Sequence, residues 1–198
     1  MAESRTVAYQ RIGVAAGIAA PVVGFICILA AIASYPAFSW TDNALSDLGI
    51  VSGITGPLFN FGLFASGLLA LSFATFGLFN YLGKGWVGRI GSATFAASTL
   101  ALMAIGIFNE SFSPTHYLVS VAFFVLAPIS LFILTAAFWL AHKRRIAGFT
   151  VLVAFAAAFP WLLLFAFNYV PNVAIPEFLS GLAVSAWVIV VSTKMLKP

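Results

Sequence analysis

Three side chains of this sequence have the types that a hydrolase needs, and they fall in polar segments between long apolar stretches. Ser46 supplies a hydroxyl nucleophile, His116 a general base and Asp47 a carboxylate to orient the histidine, with Glu110 as an alternative for the last role. Nothing around Ser46 resembles the strained nucleophile turn of known α/β-hydrolases. Catalytic roles for Ser46, Asp47 and His116 are therefore one interpretation among several.

A metal site is the second chemistry that these residues allow. Asp47, Glu110 and His116 together offer oxygen and nitrogen ligands that suit Zn²⁺ or Mn²⁺. Their spacing along the chain matches no diagnostic metal-binding motif. A divalent metal ion bound by these three residues is therefore a hypothesis without a sequence signature of its own.

Binding without catalysis is the third interpretation. Four acids, Asp42, Asp47, Glu110 and Glu177, lie in connections between the apolar stretches that contain no Lys or Arg. If they converge away from water, their repulsion must be offset by protonation, by a metal ion or by a cationic ligand such as a lipid amine. If they are solvated, no offset is needed. The predicted binding residues are Asp42, Asn43, Asp47, Asn109, Glu110, His116 and Glu177.

The elements that position these residues are transmembrane helices. With 63% hydrophobic and 7% charged residues, the chain is far below the charged fraction of about 25% in soluble domains. We predict an all-α, polytopic bundle that forms one domain over 1–198, with no room for a nucleotide-binding fold and no nucleic-acid partner. Each apolar stretch is close to the ~20 residues that cross the hydrocarbon core. The six predicted spans are at about 12–33, 57–79, 90–108, 117–141, 146–169 and 177–193.

The basic residues lie on the side opposite to the four acids. They precede the first span, lie between spans two and three and between spans four and five, and follow span six, so the segments that contain them alternate with the acidic connections. By the positive-inside rule we predict a multi-pass protein of the plasma (inner) membrane with both termini cytoplasmic. These nine residues are Arg5, Arg11, Lys84, Arg89, Lys143, Arg144, Arg145, Lys194 and Lys197.

The first outer connection is the longest and is predicted to contain a short amphipathic helix around Asn43 to Leu48. Thr41 or Asp42 can cap such a helix. It would place Asn43 and Asp47 on one face.

Small residues at four-residue spacing predict close helix packing in the second span. Gly62, Ser66, Ala70 and Ala74 share one helical face. Such a stripe brings helices together in lipid, either within the chain or between two copies in a homodimer.

Two short motifs resemble a known family. Leu45-Ser46-Asp47-Leu48-Gly49 after the first span, and Gly106-Ile107-Phe108 followed by His116, are similar to the signature of an uncharacterised six-span prokaryotic membrane family, domain of unknown function 998. The resemblance covers almost the whole chain. It implies six spans and singles out Ser46, Asp47, Gly49 and His116, but it implies no activity.

The predicted function is that of an integral membrane protein that binds a lipid or a partner protein through its acidic outer face. The alternative is a small membrane-embedded hydrolase, metal-dependent in one version, that acts on lipid head groups at the outer leaflet. Coupled transport is disfavoured because no ionisable residue lies in the middle of a span.

Overall fold

Six long helices account for most of the chain. The computed structural model describes residues 2–83 and 85–196, with side chains from residue 7 onward. All six helices are long and apolar enough to cross a membrane, which confirms the prediction of an all-α bundle with six transmembrane helices. They are α1 (Ala2–Ala33), α2 (Thr55–Tyr81), α3 (Trp86–Ile107), α4 (Thr115–Leu140), α5 (Arg144–Phe167) and α6 (Ala174–Met195).

Helices α2 to α6 begin two to four residues before the predicted spans and α1 begins ten residues before, because hydropathy marks only the apolar part of a helix that also extends into the polar interface. The basic residues lie at the end of the bundle that holds the connections α2–α3 and α4–α5, which we call the basic end. Three residues of the predicted basic set, namely Lys84, Lys197 and the side chain of Arg5, lie outside the described residues. The opposite end carries the three connections with the acids, and we call it the acidic end.

The small-residue stripe of α2 is used within the chain. Gly62 packs directly against the side chain of Cys27 on α1, so a Cβ at this position would overlap it. One turn further, Ser66 Oγ donates a 2.9 Å hydrogen bond to the Ala20 carbonyl of α1. Ala70 and Ala74 are buried in the same helix. The close approach of α1 and α2 therefore follows from the sequence pattern.

A turn of π-helix interrupts α2 near the basic end. It covers Phe73–Leu78, and its backbone at Phe76 and Gly77 lies directly against Gly13 of α1. Phe73 is fully buried and meets Phe95 and Trp187 edge to face, with ring centroids 6.0 Å apart in each pair. This aromatic cluster forms the centre of the core.

The connection between α1 and α2 has a shorter helix than predicted. A single 3₁₀ turn covers Ser46–Ile50, and no side chain caps it. Asp42 instead bonds locally with Ser39 and Thr41, so the expected capping role of Thr41 or Asp42 was wrong. The reason is a tertiary contact. The backbone N–H of Leu45, which a cap at Asp42 would have bonded, donates instead to the side chain of Glu177 on α6.

Candidate functional site

The three connections at the acidic end are tied to one another by hydrogen bonds. Ser46 Oγ donates to Glu110 Oε1 at 2.8 Å, which joins the first connection to the second. The Leu45 N–H donates to Glu177 Oε2 at 2.7 Å, which joins the first connection to α6. The structure therefore brings together residues that lie 64 and 132 positions apart in the chain.

Asp47 is held by its own segment. Its Oδ2 accepts from Asn43 Nδ2 at 2.8 Å and from the Ala44 N–H at 3.0 Å. The expected pairing of Asn43 with Asp47 is present, although the two residues are not on one regular helix. The bonds orient the carboxylate without neutralising its charge.

Glu110 lies in a setting that disfavours its ionised form. It begins a 3₁₀ turn, Glu110–Phe112, whose preceding residue Asn109 caps the turn by accepting from the Ser111 N–H at 3.1 Å. Partial burial, followed by the nearby charge of Asp47, raises the pKa of the Glu110 carboxyl above its ordinary value, although the hydrogen bond from Ser46 opposes the shift.

His116 is buried in the first turn of α4, with 8% of its surface exposed. Its Nδ1 lies 2.7 Å from the Phe108 carbonyl oxygen. Because a carbonyl only accepts, Nδ1 must carry the proton, which leaves Nε2 as an acceptor in the neutral ring. The Nε2 atom lies 3.5 Å from the Ser120 hydroxyl, one helical turn away.

Ser120 and Asn172 were missed by the sequence analysis. Ser120 carried a usable signal, because residues four apart on a helix are neighbours and His116 begins that helix. Asn172 carried none: its Nδ2 donates to the Asp42 carbonyl at 2.8 Å across a separation of 130 residues.

Gly49 is explained by its neighbour Asn60 on α2. Asn60 Nδ2 donates to the Gly49 carbonyl at 2.9 Å, and a Cβ on Gly49 would lie 2.6 Å from Asn60 Oδ1. Asn109 Nδ2 reaches the same carbonyl at 3.5 Å. Gly49 of the recognised motif therefore serves packing at the base of the 3₁₀ turn.

A cavity of about 670 Å³ opens beside these residues between α4 and α5, and we call it the lateral cavity. Its apolar walls include Val121, Val125 and Phe165, and Tyr117 stands at its rim. Tyr117 is 67% exposed and Phe165 is 78% exposed, so the cavity opens sideways toward the membrane. Its polar end is lined by Ser46, Asp47, Glu110, His116, Ser120, Asn172 and Glu177.

The predicted binding residues divide into two groups. Asp47, Glu110, His116 and Glu177 line the lateral cavity, as does the predicted nucleophile Ser46. Asp42 is exposed, and neither it nor Asn43 nor Asn109 is among the lining residues. The candidate site is therefore the polar end of this cavity.

The observed geometry differs from what the predicted Ser46 nucleophile and the predicted metal site would need. Ser46 is bonded to Glu110, whereas the hydroxyl in range of His116 belongs to Ser120. Among the side chains described, those of 7–83 and 85–196, no three His, Cys, Asp or Glu form a group that could hold a metal ion. Asp47, Glu110 and His116 share the cavity without forming such a group.

The raised pKa of Glu110 predicts a pH-dependent stability difference. An acid whose folded pKa exceeds its unfolded value loses stability as pH rises from the unfolded pKa through the folded one. We expect the free energy of unfolding of Glu110→Gln to rise relative to that of the unaltered chain from pH about 4 upward. Above the raised pKa of Glu110 the difference should stay constant. Unfolding titrations in detergent at several pH values measure this, and a difference that does not change with pH would contradict it.

Comparison with known proteins agrees with the six-span resemblance. A family model described as "Protein of unknown function (DUF998)" matches residues 18–194. No curated protein and no solved structure matches the chain. The match includes α2 to α5 entire, all three acidic connections and every residue that lines the lateral cavity. The chain therefore belongs to the DUF998 family.

Proposed function

We propose that this protein binds an amphipathic lipid in the lateral cavity, with the head group at the acidic end and hydrocarbon between α4 and α5. The observation that carries the proposal is the division of the cavity into a polar end and apolar walls that open sideways. A lipid has the same division, and it can enter from the bilayer without crossing water. The sideways opening favours a lipid over a partner protein as the ligand.

The polar end favours a head group that donates hydrogen bonds. The carboxyl groups of Asp47, Glu110 and Glu177 offer acceptor oxygens, and Nε2 of His116 can accept when Nδ1 carries the proton. Among the residues that the structure describes, no Lys or Arg lines the cavity. An ammonium group offers both the donors and the positive charge that this arrangement lacks. We therefore propose a lipid with an amine head group.

The orientation of the chain completes the proposal. If the protein lies in the plasma membrane with its basic end in the cytoplasm, the orientation that the positive-inside rule predicts, the polar end of the lateral cavity is at the depth of the outer head groups. The bound lipid then comes from the outer leaflet.

The test compares two conservative changes at the acidic end. Asp47→Asn keeps an oxygen for the bonds from Asn43 and Ala44 but removes a charge from the cavity, so we expect roughly tenfold weaker binding of an amine-headed lipid. The matched control is Asp42→Asn, which removes an exposed charge outside the cavity. Native mass spectrometry with phosphatidylethanolamine and phosphatidylglycerol of the same chains measures both.

Equal binding of the two lipids, or equal losses in the two variants, would reject the proposal. Gentle extraction from the native membrane adds a second measurement, because the co-purifying lipid is identified by its mass. A co-purifying protein in place of a lipid would favour the partner-protein alternative.

One observation favours a hydrolase as the second candidate function. His116 is oriented by the Phe108 carbonyl, and its Nε2 faces the Ser120 hydroxyl at 3.5 Å within the cavity. In such a reaction His116 would take the proton of Ser120 as the oxygen attacks an ester carbonyl, and would return it to the departing alcohol. Water would then attack the acyl group on Ser120, which releases the acid and restores the hydroxyl. Release of that alcohol by the purified protein, absent in Ser120→Ala, would assign this activity.

A further inference from the structure

We infer that the ligand is a lipid with two hydrocarbon chains that pass on either side of Phe124, an inference that rests on the proposed lipid-binding function. A second cavity of about 110 Å³ lies inside the bundle, and we call it the central cavity. Four residues line both cavities, namely Ser46, Ser120, Phe124 and Glu177. The two cavities therefore adjoin along a common wall.

The central cavity suits hydrocarbon. Its walls come from α1, α2, α3, α4 and α6, and Glu177 at the acidic end is its one ionisable lining residue among those described. Apolar side chains make up most of the rest, including Phe25, Ile28, Leu63, Phe95 and Val188. An apolar space of this kind stays free of water unless polar groups hold water there. It can instead accept the methylene groups of a lipid chain.

The shared wall changes from polar to aromatic with depth. Ser46 and Glu177 lie at the acidic end, Ser120 comes next, and Phe124 follows about 6 Å deeper, one turn along α4. Polar atoms therefore face the junction where the cavities meet. A large aromatic ring separates the cavities below that junction.

Phe124 is the middle ring of a row that runs from one cavity to the other. Its centroid lies 4.9 Å from that of Phe123, which lines the central cavity alone, and 4.7 Å from that of Trp161, which lines the lateral cavity alone. A lipid that branches beside Ser120 would place one chain in each cavity, with the Phe124 ring between the two chains. A lipid with one chain would leave the central cavity unused.

Gly181 provides the means to block the central cavity selectively. It lies one turn from Glu177 along α6 and lines the central cavity but not the lateral one. A Cβ built at this position meets no atom within 4 Å. A leucine at 181 would therefore extend into open space without displacing backbone.

The experiment measures phosphatidylethanolamine against its single-chain lyso form by native mass spectrometry. We expect the unaltered protein to bind the two-chain lipid about fivefold more tightly than the lyso form. The preference is modest because the second chain moves from one apolar environment, the bilayer, to another, the protein, and therefore gains only packing contacts. Gly181→Leu should reduce this ratio to about one while it leaves binding of the lyso form unchanged. Gly148→Leu is the matched control, because its site on α5 is equally open and lines neither cavity.

The outcomes separate the two proposals. An undiminished two-chain preference in Gly181→Leu would overturn the inference and leave the lipid-binding function in place. If the unaltered protein binds both lipids no more tightly than Asp47→Asn does, the lipid-binding function itself is rejected. Ser185→Phe, one turn further along the same wall, gives an independent second measurement should Gly181→Leu fold poorly.

Discussion

Replacement of Gly106 by alanine is expected to lower the free energy of unfolding by about 3 kcal/mol, near the upper end of typical overpacking costs. Gly106 lies on α3, where it touches the backbone of α2. A Cβ there would be 2.5 Å from the Asn60 carbonyl oxygen and 2.8 Å from the Phe64 nitrogen. Both atoms belong to a helix backbone, so neither can turn aside as a flexible side chain would.

The effect of Gly106→Ala should reach the site. Asn60, whose carbonyl would be displaced, also holds the Gly49 carbonyl through its Nδ2. We therefore expect the segment Ser46–Ile50 to lose its position over α2, and lipid retention to fall together with stability.

The control for this prediction is Gly148→Ala. That glycine lies in α5 with no atom within 4 Å of its would-be Cβ, so the change should be neutral or stabilise the helix by up to about 1 kcal/mol. Detergent-to-SDS unfolding curves followed by circular dichroism measure both variants. If Gly106→Ala is as stable as Gly148→Ala, the close contact between α2 and α3 is wrong.

The second large effect is expected at Glu177. Its Oε2 accepts the Leu45 N–H at 2.7 Å, and Leu45 is buried. Glu177→Leu would leave that backbone donor without a partner, at a cost of about 2 kcal/mol. The first connection should then loosen at Leu45, while the bond from the Ala174 N–H to the Asn43 carbonyl and the contact between the Trp40 and Phe178 rings still hold it to α6.

Glu177→Gln separates the two roles of this residue. Glutamine keeps an oxygen that can accept from Leu45, so the stability should stay close to that of the unaltered chain. It removes the carboxyl group from the wall shared by the two cavities, and with it an oxygen that an ammonium group could bind, so binding of an amine-headed lipid should still weaken. Unfolding curves and native mass spectrometry on both variants give the two readouts. Equal destabilisation by Gln and Leu would contradict the acceptor role.

The two predictions connect the fold to the site. Gly106 and Glu177 act on opposite sides of the Ser46–Ile50 turn, the first through Asn60 of α2 and the second through the Leu45 N–H. The polar end of the lateral cavity depends on that turn, because Ser46 and Asp47 belong to it. Its geometry is therefore set by contacts made on both sides.

The number of spans and the separation of acidic from basic connections were determined by the sequence alone. Both depend on local composition: a segment in lipid must satisfy its backbone within its own helix, so about 20 apolar residues suffice to predict a span. The stripe that begins at Gly62 belongs to the same class, because its spacing places small residues on one face.

The site was decided by the tertiary structure. The types of Asp47, Glu110, His116 and Glu177 marked them as candidates, but Asp42 had equal standing in the sequence and lies outside the cavity. The bonds Ser46 to Glu110 and Leu45 to Glu177 depend on how whole helices are rotated and packed. No local pattern carries that information, because the partners are brought together by packing between segments distant in the chain.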